Sequence, residues 1–291
     1  MNRAQLPNLT VNQLDYLVAA VDSPTWAVAS ERLGVTQSAL SQGISELQRR
    51  LGVELFERHG RRRVPHPRAT PVIAHARAVL AQTTDLAAWA SDIRSGRGGR
   101  LRIGMIDAAA VNHFGDTLRQ FRMNHPNLDL HLTVGPSSQL LASLSDGGLD
   151  LAVCVDPSHG DFETTRLLEE PLVIYAPQGA TIGDPSTWGP WVSFPSGSLT
   201  RRLIASALAS IGAEFDVIAE SHQPEVLREM VHLGMGWTVL PPIQAERDPR
   251  ALTRAVDSAL LTRDLVAVRR RSALPDAAAA ALTALMVSAL A

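Results

Sequence analysis

An all-α helix-turn-helix N-terminal domain, a long linker helix and an α/β domain of two lobes are predicted by three features. Apolar residues recur at helical spacing to about residue 67, a strict heptad follows over residues 68–94, and strands and helices alternate from residue 100 to the end. The 291 residues suffice for two or three domains, and the 45% hydrophobic fraction suits sizeable cores.

Thr10-x-x-Gln13 is a capping box that opens the first helix, and Leu14, Leu17, Val18 and Val21 form its buried face. In the next helix Ser23 is read as N-cap, with Pro24 at the first helical position. Trp26, Ala29 and Leu33 share a face, and Gly34 ends the helix in a left-handed cap. Thr36 caps a third helix whose Leu40, Ile44, Leu47 and Leu51 form a buried stripe. Its opposite face carries Gln37, Ser38, Ser41, Gln42, Ser45 and Arg49, short hydrogen-bonding groups with almost no charge. Such a face suits base edges in a major groove, although a solvated Ser/Gln surface is the plain alternative.

The stretch ASERLGVTQSALSQGISELQRRLGVELFERHGRR resembles the winged helix-turn-helix of LysR-type transcriptional regulators, and the match runs without a gap from Leu9 to Pro67. Ala29-Ser30 replaces the family's Ala-Ala pair, Gln48 replaces a Glu, and the usual basic residue near Gln42-Gly43 is missing. Gly43 inside a helix costs roughly 1 kcal/mol relative to Ala. The resemblance implies DNA contacts from Thr36, Gln37, Ser38, Ser41, Gln42, Ser45 and Arg49. It makes the hairpin around Gly60 a wing, whose Arg58, Arg61, Arg62 and Arg63 would grip phosphates with Arg68 nearby. Pro65 and Pro67 shorten the second wing strand.

The charge is placed accordingly. Residues 1–70 hold nine Arg and six acids, a net of +3, whereas the whole chain is −2 and the remainder −5. All 27 basic residues are Arg.

From Arg68 to Arg94, Val72, Ala76, Val79, Thr83, Leu86, Ala90 and Ile93 step by alternating fours and threes. This is a two-stranded seam, matching the family's linker helix that joins two copies. A dimer, or a tetramer, would read a pseudo-palindromic double-stranded promoter site. A helix lying on its own domain is the alternative. Residues 95–99 (SGRGG) are a hinge by composition.

Residues 100–291 form the expected effector domain. Strands are read at Arg100–Ile106, Leu128–Val134 and Leu149–Val155, with helices at Val111–Asn124 and Ser137–Asp146 between them. The pattern restarts with strands Leu172–Ala176 and Trp191–Phe194, helix Thr200–Ile211, strand Phe215–Glu220, helix Pro224–Leu233 and strand Trp237–Leu240. A strand at Arg263–Arg269 and a helix at Asp276–Leu290 complete it. Alternation argues a parallel sheet. GDTLRQFRMNHP and HLGMGWTVLP are phrases similar to the family's effector domain, which implies a two-lobed, periplasmic-binding-protein-like fold. Lobe I is placed at about residues 100–160 and 271–291, and lobe II at about 161–270.

A ligand in such a fold sits between the lobes, at loops after the carboxyl ends of strands. Asp107, Ala108, Ser137, Ser138, Phe194, Pro195, Ser196, Ser198, Thr200 and Ser221 are the candidate effector contacts. Hydroxyls at helix starts suit a small anion, but Asp107 opposes one unless Arg201 or Arg202 compensates. Serine and threonine also cap helices whether or not a ligand is present.

No HExxH, Cys-x-x-Cys, phosphate-loop or GxSxG motif is present, so neither a cofactor, a metal nor catalysis is expected. The one cysteine, Cys154, cannot form an intramolecular disulfide and reads as a buried thiol in LAVCV. The first residues lack an apolar core for a signal peptide, and no confident membrane span appears, so a cytoplasmic protein away from membranes is expected. A DNA-binding regulator with a small-molecule effector is the preferred reading, with RNA polymerase left open as a further partner. A solute-binding protein would need a secretion signal, and an α/β enzyme would need a catalytic set.

Overall fold

The computed structural model describes residues 8–59, 62–95, 99–247 and 250–290. The chain forms two compact units, divided near Ser91.

In the first unit, α1 (Val11–Asp22) carries the complete Thr10–Gln13 capping box. The second helix corrects the sequence reading. Thr25, not Ser23, is the N-cap of α2 (Trp26–Leu33), and its hydroxyl accepts from Val28 N at 3.3 Å. Ser23 instead closes α1 in extended backbone. Gly34 ends α2 at φ +66°, and Thr36 caps α3 (Gln37–Leu51) by accepting from Ala39 N. One apolar cluster joins Ala19, Ala20, Ala29, Leu40 and Ile44, with Tyr16, Trp26 and Phe56 against it. A second joins Leu14, Leu17, Leu47, Leu55, Ala69 and Ala76.

Gly43 is a packing requirement. A Cβ there would lie 2.4 Å from Cδ2 of Tyr16, so α1 and α3 approach closely through the missing side chain. Gln48 also has a local task, since its Oε1 accepts from Leu55 N at 3.0 Å and pins the turn after α3. Strands β1 (Phe56–His59) and β2 (Arg62–Pro65) pair antiparallel in four-residue arms. The turn residues Gly60 and Arg61 lie outside the described residues.

Helix α4 (Thr70–Ser95) spends its expected seam unevenly. Val72, Ala76 and Val79 pack into their own domain. Further along, Thr83, Leu86 and Trp89 are exposed. Of residues 95–99, positions 96–98 lie outside the described residues, as does the side chain of Ile93.

In the second unit, β3 (Arg100–Met105) pairs in parallel with β4 (Asp129–Val134) and β5 (Leu151–Val155), linked by α5 (Gly115–Asn124) and α6 (Ser137–Ser145). The predicted helix from Val111 is instead two pieces. Ala108–His113 is a π turn, in which Phe114 N donates to Ala109 O, and α5 begins beyond it. The sheet is mixed, which corrects the parallel expectation. Strand β6 (Phe162–Tyr175) runs 14 residues and β10 (Leu261–Arg270) pairs antiparallel to both β5 and β6. The order is β4-β3-β5-β10-β6-β9, counting β7 (Trp191–Ser193), α7 (Leu199–Ser210), β8 (Val217–Glu220), α8 (Pro224–His232), β9 (Thr238–Leu240) and α9 (Pro242–Ala245) before β10; α10 (Ala277–Ser288) ends the unit.

Two apolar clusters define the lobes. Leu265–Val268 of β10 belongs to the first, with Phe162 and Leu168 of β6 packed against it. Leu172–Tyr175 of β6 belongs to the second, with Leu261 against it. The strands therefore pass from one cluster to the other near Glu170 and Arg263, inside β6 and β10. The expected divisions at residues 160 and 270 fall at strand ends, because each strand serves both cores.

Replacing Gly43 with Ala should lower stability by about 1–3 kcal/mol despite the better helix propensity. Thermal or urea unfolding checks this, and Tyr16→Ala in the same chain should recover part of the loss.

Candidate functional site

The outward face of α3 is built by its cap and its buried stripe. Leu40, Ile44 and Leu47 are at most 1% exposed, which turns Gln37, Ser38, Gln42, Ser45 and Arg49 to solvent and leaves Ser41 half-buried. The hydroxyl of Thr36 lies 3.0 Å from that of Ser38. Arg49 is tied along the helix: its Nε and Nη2 donate to the Glu46 carboxylate at 2.8 and 2.6 Å. Hydrogen bonds from Arg49 and then Arg50 hold the Glu46 carboxyl down to about 2. The pair is exposed, so it is a weak tie that phosphate can compete for.

The arginines of the hairpin differ. Arg58 is exposed opposite Arg63 in the β1–β2 register. The guanidinium of Arg63 lies 4.3 Å from the centroid of the Trp26 ring, which itself meets Phe56 edge-on at 5.1 Å. Arg63 is thus seated on its own domain by a cation–π contact. Arg61 and the side chain of Arg62 lie outside the described residues. A hollow of about 230 Å³ separates α3 from this hairpin, with Ser45, Gln48, Arg58 and Arg63 in its walls.

The second unit holds a cavity of about 220 Å³. Of the ten sequence candidates it brings together Asp107, Ala108, Ser137, Phe194, Ser198 and Thr200. Ser138, Pro195, Ser196 and Ser221 do not line it. Ser138 and Ser196 face solvent, and the Ser221 hydroxyl accepts from Gln223 N at 3.1 Å just before α8. Helices α6, α7 and α8 all begin at the cavity wall, with Ser137, Ser198–Thr200 and Pro224. Their first turns bring partial positive charge there.

Three of the predicted hydroxyls already have local partners. Ser198 caps α7, Ser137 accepts weakly from Val155 N at 3.4 Å, and Thr200 accepts from Arg263 Nη1 at 2.7 Å. Arg263 also donates through Nε and Nη2 to Glu170 Oε2, at 2.8 and 2.5 Å. Glu170 Oε1 lies 2.8 Å from His113 Nε2. Burial opposes ionisation of Glu170, but His113 and Arg263 outweigh it and hold the carboxyl below its ordinary value. Of the two arginines that could offset Asp107, Arg201 is turned to Glu220 and to Phe194 O, while Arg202 is exposed.

Two lining residues remain unsatisfied. Gln244 is 4% exposed, and neither its amide nitrogen nor its amide oxygen has a partner among the described residues. Asp107 Oδ1 is buried and unpartnered too. Burial, and secondarily the charge of Glu225, raises the Asp107 pKa. Sequence reasoning missed Gln244 and Arg263. Gln244 sits in a four-residue helix too short for periodicity, and Arg263 reads as an ordinary strand residue. Cys154 is fully buried in β5, and burial followed by Asp156 pushes its thiol up to about 12, so it carries no thiolate at neutral pH. No helix among the described residues is long and apolar enough to cross a membrane.

The Asp107 shift has a definite sign. A folded pKa above the unfolded one stabilises below the unfolded value and is lost as pH rises through the folded value. Asp107→Asn should therefore raise the melting temperature at pH 7, and the gain should shrink as pH falls toward about 4. Melts at both pH values check this.

Similarity to known proteins bears on both sites. Residues 11–71 match the family model described as bacterial regulatory helix-turn-helix protein, lysR family, and residues 94–291 match the LysR substrate binding domain. The chain is 23% identical over 287 residues to the HTH-type transcriptional regulator YfeR of Shigella flexneri, covering 94% of this chain and 92% of that one. It is 26% identical over 236 residues to CbbR of Rhodospirillum rubrum, covering 79% and 78%. In fold it is similar to CbnR, a LysR family transcriptional regulator, with TM-score 0.65 and 18% identity over 97% of this chain and 100% of that one. Full-length OxyR from Pseudomonas aeruginosa gives TM-score 0.62 and 21% identity over 97% and 98%. CbnR has also been solved with its target DNA, at TM-score 0.60 and 18% identity over 97% and 99%. The chain belongs to the LysR family of DNA-binding transcriptional regulators, with the family's substrate binding domain over its C-terminal part.

Proposed function

We propose that α3 enters the major groove and reads base edges with Gln37, Ser38, Ser41, Gln42 and Ser45. Thr36, Arg49 and the arginines of the β1–β2 hairpin hold the phosphates. The observation that carries this is the capped, uncharged Ser/Gln face of α3, exposed beside the hairpin. Glutamine suits adenine and serine several bases, while arginine on phosphate sets register and salt dependence.

Two copies would pair through the distal part of α4, where Leu86 is 56% and Trp89 54% exposed on a helix otherwise committed to its own domain. A dyad there gives two half-sites of a pseudo-palindrome. The cavity of the second unit would take the effector. It opens between the two apolar clusters, so a ligand touching Phe194 and Ala108 contacts both lobes and can shift one against the other.

The DNA reading is tested by selecting bound sequences from random duplexes with the full-length protein, then titrating variants by fluorescence anisotropy. Gln37→Ala and Gln42→Ala should each cost about 1–3 kcal/mol on the selected site and little on random DNA. Arg58→Ala should weaken both alike and reduce the salt slope by about 1. Glutamine variants that bind the selected site as tightly as the parent would refute it.

A further inference from the structure

We propose that the cavity takes a small amine-bearing metabolite of amino-acid type, its ammonium seated on Asp107 and its carbonyl end on the Gln244 amide and the adjoining helix starts. This rests on the cavity being the effector site.

The balance of groups in the cavity walls carries the inference. The basic residues of the lining are Arg263, which Glu170 already neutralises through two hydrogen bonds, and His222, which stands exposed. Arg201 is turned away onto Glu220. The remaining carboxylate, Asp107, has a buried oxygen with no partner among the described residues. Asp107 is half-buried, and a cationic donor is the group that relieves a carboxylate oxygen shut off from water. An anion alone would sit against Asp107 and in the field of Glu225.

Gln244 supplies the second half. Its side chain is nine-tenths buried, lines the same cavity, and leaves two N–H donors and a carbonyl acceptor unused. The helix that bears it, α9, packs against the π turn that follows Asp107. Both unsatisfied groups therefore belong to neighbouring segments of the cavity wall. The starts of α6, α7 and α8 offer N–H groups and partial positive charge, which suit a carbonyl or carboxylate oxygen. A negative residue and positive helix ends in one small space select a ligand with both signs. The volume, about 220 Å³, suits a compact molecule. Ile106, Val134, Val155 and Phe194 leave room for an apolar side chain.

The test is calorimetric titration of the full-length protein with the common α-amino acids and their amides, each beside its 2-hydroxy counterpart lacking the nitrogen. At least one amine should bind and its hydroxy counterpart should not. Asp107→Asn should weaken that amine by about tenfold or more, as loss of a charge-assisted hydrogen bond implies. Gln244→Leu, which removes unsatisfied polar atoms and so should fold, should weaken it several-fold. Gln223→Trp, a bulky change at an exposed lining position, should abolish binding. Absence of any amine binding overturns the proposal, as does a hydroxy counterpart bound equally well or an Asp107→Asn protein of unchanged affinity. If an amine-free carboxylate binds instead and Gln223→Trp blocks it, the amine class fails while the cavity stands as the effector site. A probe that binds Gln223→Trp as well as the parent overturns the cavity reading itself.

Discussion

The regulatory half of the molecule is organised around an ion pair between neighbouring strands. Glu170 of β6 and Arg263 of β10 stand opposite one another in the sheet register, at most 5% exposed, where both strands pass from one apolar cluster to the other. A buried pair is stable only when the remaining hydrogen-bonding capacity is met. Here His113 from the π turn and Thr200 from α7 meet it, which draws the elements flanking the cavity to one point. The same arrangement removes the arginine from service as a ligand cation. It leaves the cavity's polarity to Asp107, Gln244 and three helix starts.

The N-terminal unit works on a different economy. The face proposed to read DNA is defined by what the core withholds: the buried stripe of α3 fixes which side chains face outward, and Gly43 lets α1 lie close enough to hold that helix at its angle. Arg63 on Trp26 and Arg49 on Glu46 show two hydrogen-bonding cations kept at the surface by weak contacts. Such contacts are readily exchanged for phosphate. Each of the two units keeps its own core.

Much of this is legible in the sequence where the causes are local. The Thr10–Gln13 box, the Gly34 turn, the Thr36 cap and the Leu40–Ile44–Leu47 stripe depend on residues within a turn or two, and the structure places them so. Six candidate cavity residues follow strand ends and were reachable by the same logic. What sequence reading misses is set by distant partners. Gly43 looks like a helix defect until Tyr16 of another helix is placed beside it. The first half of β6 carries no strand signal in the sequence because it is paired in the sheet while its faces stay largely exposed. Val72 and Val79 fit a heptad equally well whether they face a second copy or their own domain, and spacing cannot tell the two apart. Arg263 and Gln244 acquire meaning only from the antiparallel pairing of β10 and from a helix of four residues.

A double-mutant cycle on the cross-strand pair tests this account most directly. Glu170→Leu and Arg263→Met each leave one buried charge without its counter-charge and should each cost about 3–5 kcal/mol of unfolding free energy. The paired change Glu170→Leu with Arg263→Met should lie within about 1 kcal/mol of the parent, because both buried charges are gone together. Denaturant unfolding of the full-length variants reads both values. Single changes that cost little, or a paired change that costs the sum of its parts, would contradict the role given to this pair.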